Sequence, residues 1–273
     1  MPKTIIRALI SRILFVTAAG CSVQAVAQDI IWELGAGAAN FSLDLYPGSA
    51  SKKHYLVPLP YFTLISTKIE IDRGIRGFLF KSDTVLLDVS ADFGIPVDSD
   101  DSAVRKGMPN LDAVLQLGPS LEVLLHRSES GHSNIRFELP LRAAIASDIK
   151  NTSNEGWLLE PRLTFEKKRL HKAGLSTRLM LGLKYATRDY NAYYYDVAPM
   201  YATPERPVYA SDKGYGGAFV SLQAGWREGN WVWWTLLQYQ SLSGAVYEDS
   251  PLVEEKDYYL FGVGFAWIFA QSL

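Results

Sequence analysis

The stretch LDAVLQLGPSLEVLL, residues 111–125, decides the fold class. One of its faces is almost wholly apolar, whereas the other carries Asp112, Gln116, Ser120 and Glu122. Side chains alternate between two faces along a β-strand, so this period of two predicts a strand with one apolar and one polar surface. The stretch is longer than most strands of soluble sheets, and it is long enough to cross a lipid bilayer at a tilt.

Similar segments recur along the chain, and their connections alternate in length. Four connections are long, at 40–53, 94–110, 188–216 and 242–256. The connections between them are short, as at Ser82-Asp83 and at residues 228–230, which is the alternation expected of an outer-membrane barrel with short periplasmic turns. The sequence therefore predicts an all-β fold, an antiparallel transmembrane β-barrel of about twelve strands. The predicted strands are 30–39, 54–64, 67–73, 75–81, 84–93, 111–125, 133–147, 157–168, 174–187, 217–227, 231–241 and 257–269.

Two of these segments, 67–73 and 75–81, are short for membrane strands, so ten strands are also possible. After the first residues, no apolar run approaches the roughly 18 residues that a membrane helix requires. A closed barrel is the other structure that satisfies every backbone polar group in lipid.

The chain begins with a predicted export signal. A basic start is followed by a short apolar core, and Ala25-Val26-Ala27 supplies the small residues that a signal peptidase requires. We expect a signal peptide at 1–27, a barrel at 28–273, and Sec-type export to the outer membrane of a Gram-negative cell. A lipoprotein cleavage box ending at Cys21 is the competing interpretation.

The last strand resembles a sorting signal for the barrel-assembly machinery, which is an expected partner together with outer-membrane lipids. Phe265, Trp267 and Phe269 end a run of apolar residues on one face, although Ala270-Gln271-Ser272-Leu273 follow where such signals usually stop. A core strand of a soluble protein would look similar.

Charged residues of both signs occupy the polar face of the neighbouring central strands, so they are predicted to face the lumen. Buried charges persist when they are paired, which favours a salt-bridged interior. A narrow aqueous pore whose charges set selectivity is the alternative. The predicted lumen charges are Arg136, Glu138, Arg142, Glu160, Arg162, Glu166, Arg178 and Lys184.

Two aromatic clusters stand out. The 188–216 connection holds many tyrosines, which form a ligand or partner surface, an inward-folding plug or part of an outer aromatic girdle. Trp226, Trp231, Trp233 and Trp234 surround a short turn and are predicted to form an interfacial girdle.

The sequence gives little support for a catalytic site or a metal site. His54, His126, His132 and His171 have no metal-ligand spacing, so neither a metal site nor a cofactor is expected. An outer-membrane phospholipase would need a His beside a Ser, and only His54 with Ser49 and Ser51 approaches that arrangement. We therefore expect no enzyme. The net charge of −2 gives no reason to expect a nucleic-acid partner.

Several short motifs, in order along nearly the whole mature chain, resemble the MltA-interacting protein (MipA/OmpV) family. The resemblance implies an outer-membrane barrel, and a structural or scaffolding link to peptidoglycan-remodelling enzymes, namely a lytic transglycosylase and a peptidoglycan synthase. A passive porin-like channel for small solutes is the alternative, and the motifs transfer no catalytic residue. They are YPGS at 46–49, LPYF at 59–62, GPSL at 118–121, YYYDV at 193–197, YGG at 215–217, LSGAV at 242–246 and DSPLV at 249–253.

Overall fold

The computed structural model of the chain describes residues 30–66, 69–71, 75–148, 150–170 and 174–272. The predicted signal peptide, Cys21 and His171 lie outside the described residues. The signal and the domain boundary after Ala27 therefore stay predictions.

Within the described residues, thirteen antiparallel strand segments make one closed sheet. Consecutive strands pair with each other, with one exception described below, and the last strand returns to pair with the first, from Glu33↔Gln271 to Leu43↔Leu260. The strands are β1 (Ile31–Asp44), β2 (Lys52–Ile65), β3 (Ile69–Ile71), β4 (Ile75–Lys81), β5 (Val85–Gly94), β6 (Ala113–Arg127), β7 (Ser133–Ser147), β8 (Thr152–Leu159), β9 (Arg162–Leu170), β10 (Leu175–Ala186), β11 (Gly214–Glu228), β12 (Trp231–Ser241) and β13 (Asp257–Gln271).

β8 and β9 act as one strand that breaks at Glu160 and Pro161. Both segments pair with β7 on one side and with β10 on the other. Because β8 and β9 together occupy the place of one strand, the barrel has twelve strand positions around its circumference. This confirms the predicted transmembrane barrel of about twelve strands.

From β5 to β10 the two faces of each strand lie as the alternation predicts, with apolar side chains outside and mainly polar side chains inside. On β6 the outward Leu117 is 42% exposed, whereas its neighbour Gln116 is 8% exposed. On β10 the outward Leu181 is 43% exposed. An apolar exterior around a polar interior is the arrangement that lipid requires of a barrel.

The connections differ at the two ends of the barrel. At the end that we call the turn end, the strands are joined by short turns such as 82–84, 128–132 and 229–230, and β1 begins and β13 ends there. At the opposite end, the loop end, the four long connections are 45–51, 95–112, 187–213 and 242–256. The first is shorter than predicted because residues 40–44 extend β1 by pairing with β2 and β13.

The longest connection contains a helix, α1 (Arg188–Tyr195), and a 3₁₀ turn at Pro199–Tyr201. In the part of the chain that the structure describes, no helix has the length and apolar character needed to span a membrane.

Three of the four tryptophans near the 229–230 turn lie on the outer surface, where Trp233 stacks at 6.0 Å from both Trp226 and Trp231. The girdle prediction is wrong for Trp234, which points into the lumen because consecutive strand residues face opposite ways. Gly264 on the neighbouring strand makes room for it, since a Cβ there would lie 2.5 Å from the indole ring.

Candidate functional site

A network of ion pairs lines the lumen wall formed by β7 to β10. Arg142 Nη1 lies 2.7 Å from Glu160 Oε2, and Lys184 Nζ lies 3.6 Å from the other oxygen of that carboxylate. Arg162 Nη2 lies 2.7 Å from Glu138 Oε2. These contacts bring together five of the predicted lumen charges.

The remaining three predicted charges meet around Glu166, which is buried. Arg136 Nη1 lies 3.5 Å from one of its oxygens, and Arg178 Nη2 lies 3.4 Å from the other. The structure thus brings all eight predicted charges into ion pairs. Asn134 adds a hydrogen bond of 3.2 Å from its Nδ2 to Glu166.

The sequence prediction left Asp92 out of this network, although the alternation of β5 put it on the polar face. Its Oδ2 lies 3.7 Å from Arg142 Nη1, while its side chain stays 63% exposed. The alternation of polar and apolar residues along β5 was the sequence signal that could have placed Asp92 in the network.

The other side of the lumen is apolar and aromatic. Phe41 of β1 contacts Trp234 of β12, with ring centroids 5.5 Å apart. Inward positions of β2, among them Val57 and Leu59, continue this surface, because they lie opposite the inward Ala39 and Gly37 of β1. The lumen therefore has a charged wall facing an apolar wall.

A cavity of about 500 Å³ lies between these walls, towards the turn end. Phe41, Trp234 and Leu236 line its apolar side, and Gln223, Arg178 and Arg227 line its polar side. A volume of this size is typical of small-molecule sites.

The four long connections meet in one buried cluster, which we call the cap. Tyr195 of the third connection stacks on Tyr247 of the fourth, with ring centroids 3.8 Å apart and planes inclined by 10°. Connections that leave the barrel at four separate points around the ring meet only by crossing its mouth. The cap therefore spans the loop end. Its core residues are Leu45, Tyr46, Val97, Leu111, Tyr195, Leu242, Ala245 and Tyr247.

Hydrogen bonds tie the cap connections to one another. The Tyr46 hydroxyl donates to the Leu252 carbonyl at 2.8 Å, and the Tyr195 hydroxyl donates to the Pro47 carbonyl at 2.9 Å. The Ser250 hydroxyl donates to the Tyr195 carbonyl at 2.7 Å. Because buried polar groups are costly when left unpaired, these bonds fix the way the connections pack.

Arg105 of the second connection is buried against the end of α1. Its Nη1 donates to the Tyr194 carbonyl at 2.9 Å, which places a cation at the negative end of the helix dipole. The guanidinium also lies over the Tyr46 ring, 5.6 Å from its centroid. Burial lowers the pKa of Arg105 from its ordinary value.

The tyrosines of α1 fold into the barrel mouth, which answers the question left by the tyrosine-rich connection in favour of the inward interpretation. The Tyr193 hydroxyl accepts a hydrogen bond from the Asp112 backbone N–H at 2.6 Å, and the Tyr190 hydroxyl accepts one from Gln116 Nε2 at 3.3 Å. Both rings pack with Tyr194 against Val114, Ala144 and Ala146 of the inner wall.

With the fold and the lumen described, the relationship of the chain to known proteins can be stated. The family model for the MltA-interacting protein MipA matches residues 34–269, nearly the whole barrel. The chain belongs to this family. The match confirms the resemblance that the short motifs indicated. A comparison with curated proteins finds no match.

Solved barrels are similar in outline to this member of the family. A NanC porin structure is 7% identical with a TM-score of 0.41, covering 86% of this chain and 98% of that one. The CymD monoaromatic hydrocarbon channel is 12% identical with a TM-score of 0.35, covering 89% of each chain. The outer membrane protease OmpT from Escherichia coli is 8% identical with a TM-score of 0.31, covering 90% and 99%. At these scores the barrel assignment rests on the strand pairing of the chain itself.

The histidines and serines weighed for catalysis do not assemble. His54 lies in β2 and is exposed, whereas Ser49 is buried and accepts a hydrogen bond of 3.2 Å from the Ser51 backbone N–H. Within the described ranges, no group of three His, Cys, Asp or Glu side chains could hold a metal ion. The absence of enzymatic activity stays a prediction.

The predicted sorting residues Phe265, Trp267 and Phe269 all lie on the outer face of β13 and are exposed. β13 closes the barrel by pairing with β1 and β12. Recognition of this strand by the barrel-assembly machinery stays a prediction.

We expect the cap to loosen at high pH while the barrel persists. Burial raises the pKa of Tyr46, Tyr193 and Tyr247 to about 12. A raised pKa means that the folded cap favours the neutral phenol, so its stabilisation is complete below the unfolded pKa of about 10 and is lost as the pH rises towards 12. Trypsin cleavage in the 187–213 connection should therefore begin above pH 10, after correction for the protease's own pH profile. Heat-modifiable gel mobility should report an intact barrel throughout that range, and a cap that resists cleavage at pH 12 would contradict the prediction.

Proposed function

We propose that the protein is a capped outer-membrane barrel that holds a peptidoglycan-remodelling enzyme, a lytic transglycosylase, at its periplasmic end. The cap is the observation that carries the proposal, because a barrel whose mouth is crossed by four interlocking connections is poorly suited to free solute passage. The family's name, MltA-interacting protein, supplies the kind of partner. Sec-type export and insertion by the barrel-assembly machinery belong to the same proposal.

The charged lumen wall supports a structural role. Glu138, Glu160 and Glu166 are buried and ion-paired, so they brace neighbouring strands against one another. A rigid barrel gives its partner a fixed binding surface. An interface that forms without rearrangement loses less affinity to the entropy cost of ordering side chains and loops.

The partner would meet the turn end, where the short turns lie. Stable interfaces bury about 800 Å² on each partner, so docking must use several turns together. Arg227 and Glu33 belong to this rim, where their side chains form an ion pair. A peptidoglycan synthase would join through the transglycosylase.

A passive porin-like channel is the second candidate, and the cavity of about 500 Å³ favours it. Its charged wall would set ion selectivity if a path through the cap opened. Twelve strands nevertheless enclose less space than the 16–18 strands of large porins.

Conductance in planar bilayers, combined with binding of the purified transglycosylase, tests the proposal. We expect little steady conductance from the intact protein and clear conductance after residues 188–213 are replaced by a short glycine-serine linker. Steady conductance of the intact barrel whose selectivity reverses in Arg142→Glu would favour the channel and overturn the proposal.

Binding is tested with two insertions of the same short peptide. Insertion between Gly229 and Asn230 at the turn end should abolish binding of the transglycosylase. The matched insertion after the exposed Glu205 at the loop end should leave it unchanged. If both variants bind the transglycosylase equally well, the partner does not dock at the turn end, and the proposed docking end is contradicted.

A further inference from the structure

Two aromatic rings of the lumen cavity, those of Phe41 and Trp234, pack against the inner surface of β13. A Cβ atom at Gly264 would lie 2.5 Å from the Trp234 indole, and one at Gly262 would lie 2.9 Å from the Phe41 ring. Real Cβ atoms essentially never approach so closely, so glycine at both positions lets the rings lie against the wall. Because both rings also line the cavity, they form a surface on which a ligand can pack, which we call the aromatic platform.

Polar side chains lie beside the aromatic platform, on the inner faces of β10 and β11. The strand register places Ser176 opposite Gly225, and Gly225 opposite Trp234. Since neighbouring strands lie about 4.8 Å apart, the backbones at Ser176 and Trp234 are separated by roughly 10 Å. Gln223, at the next inward position of β11, pairs with Arg178 of β10. The cavity therefore has an aromatic side and a polar side at the same level of the barrel.

The charged side chains that the structure describes along the cavity are Arg178 and Arg227, and both are basic. Arg227 Nη1 lies 2.5 Å from Glu33 Oε1, and its Nη2 donates to Gln271 Oε1 at 3.1 Å. Arg178 Nη2 lies 3.4 Å from Glu166 Oε1. These contacts hold each guanidinium in place. A guanidinium has five N–H donors, so an arginine that holds one carboxylate can bind a second one.

Arg227 is the more accessible of the two cations. Its side chain is 40% exposed, against 13% for Arg178. It lies two inward positions from Gln223, towards the turn end, because β11 ends at Glu228. The cap spans the opposite end of the barrel, so a ligand that reaches the cavity from the turn end would meet the Arg227 guanidinium first.

The arrangement of aromatic and polar groups selects the class of anion. The face of an aromatic ring carries negative charge density and attracts the C–H groups on one face of a sugar ring. The hydroxyls of a sugar project from the edge of its ring, where the Gln223 amide supplies both a donor and an acceptor. A flat aromatic acid has no such hydroxyls and would cover the Gln223 amide and the Ser176 hydroxyl without pairing them, which is unfavourable.

We propose that the lumen cavity is a binding site for an acidic sugar, a pyranose ring that carries a carboxylate. The ring packs on the aromatic platform, its hydroxyls bond to Gln223 and Arg178, and its carboxylate pairs with Arg227. The scaffold role does not require this site, and the site does not require a partner enzyme.

Isothermal titration calorimetry of the folded protein in detergent tests the site with two pairs of sugars. N-acetylmuramic acid and glucuronic acid carry a carboxylate, whereas N-acetylglucosamine and glucose are their neutral counterparts. We expect an acid to bind at least tenfold more tightly than its neutral counterpart. Binding of N-acetylmuramic acid would indicate a peptidoglycan fragment as the source of the ligand, binding of glucuronic acid would indicate a free uronic acid, and either supports the proposal.

Two results with the unaltered protein would overturn the proposal. The first is that neither acid binds, or that each binds no better than its neutral counterpart. The second concerns benzoate, an aromatic acid without hydroxyls. Tighter binding of benzoate than of either sugar acid would identify a site for aromatic acids instead.

Two consecutive tryptophans provide a matched pair of variants. Trp234→Ala removes the larger ring of the aromatic platform and should weaken binding of the sugar acid at least tenfold. Trp233→Ala makes the same change one residue away, on the outer surface, and should leave the affinity unchanged. Heat-modifiable mobility reports whether both variants fold. Equal affinities in the two variants would place the sugar away from the aromatic platform and contradict the proposed site.

Arg227→Gln tests the assignment of the carboxylate. The variant should lower the affinity for the sugar acid to that of its neutral counterpart and leave the affinity for the neutral sugar unchanged. An equal loss for both sugars would mean a general structural effect and would overturn the assignment. The comparison of acid and neutral sugar in the unaltered protein stands even if a variant fails to assemble.

These measurements use no transglycosylase, so the site and the scaffold role can fail separately. A barrel that binds the acidic sugar without binding the enzyme would lose the scaffold role alone. A barrel that binds the enzyme but no acidic sugar would lose the lumen site alone.

Discussion

Replacing Glu160 by glutamine is expected to lower the free energy of unfolding by about 3–5 kcal/mol, because it leaves the buried Arg142 guanidinium with only the more distant and exposed Asp92 carboxylate. Arg142 is nearly buried and its Nη1 lies 2.7 Å from this carboxylate. Lys184 also loses a carboxylate at 3.6 Å, but its greater exposure lets water replace part of the interaction. Urea unfolding from lipid vesicles, followed by gel mobility, measures the change.

Two controls separate the ion pair from a general effect of the substitution. Glu205→Gln removes a carboxylate from an exposed position in the longest connection and should change stability by less than about 0.5 kcal/mol. The double variant Glu160→Gln with Arg142→Gln should recover part of the loss, because neither charge is then left unpaired. If the double variant costs the sum of the two single ones, the pair does not act as a unit and the explanation fails.

The network could be predicted because strand parity fixes the face of every residue. Once residues 111–125 established a period of two, Arg136, Arg142 and Arg178 followed on the inner face of their own strands. Which carboxylate each cation contacts could not be predicted, since the contacts depend on the register between strands and on tilt. Asp92 was missed although its strand was predicted correctly.

One membrane strand is interrupted at Glu160 and Pro161, and the proline itself is a sequence feature that indicates such a break. Proline cannot donate to a ladder and is uncommon in the middle of a sheet. The alternation of 157–168 nevertheless favoured one continuous strand, and the pairing of both β8 and β9 with the same neighbours explains why the alternation survives the break.

The cap was beyond sequence reasoning for a different reason. The RDYNAYYY segment at 188–195 has no apolar period that predicts a helix, and its tyrosines suit a surface, a plug or a girdle equally well. Its conformation depends on partners distant in sequence, such as Arg105 at its end and Tyr247 stacked on Tyr195.

Replacing Leu117 by arginine is expected to impair assembly by about 2–4 kcal/mol, because it places a charge on the lipid-facing surface near the middle of β6. Leu181→Arg, on the outer face of β10, should have an effect of similar size. The fraction of protein that folds into vesicles, read from heat-modifiable mobility, measures both variants.

Gln116→Arg is the matched control, since it makes the same kind of change one residue away on the opposite face. There the new guanidinium would lie opposite Asp92 of β5, whose carboxylate is 63% exposed and able to accept an ion pair. We therefore expect a smaller loss than at Leu117, although the nearby Arg142 and Tyr190 leave limited space. A soluble sandwich would give the reverse order, because its apolar face is the buried one and its polar face meets water. Equal losses at positions 116 and 117 would contradict lipid contact as the reason for the apolar exterior.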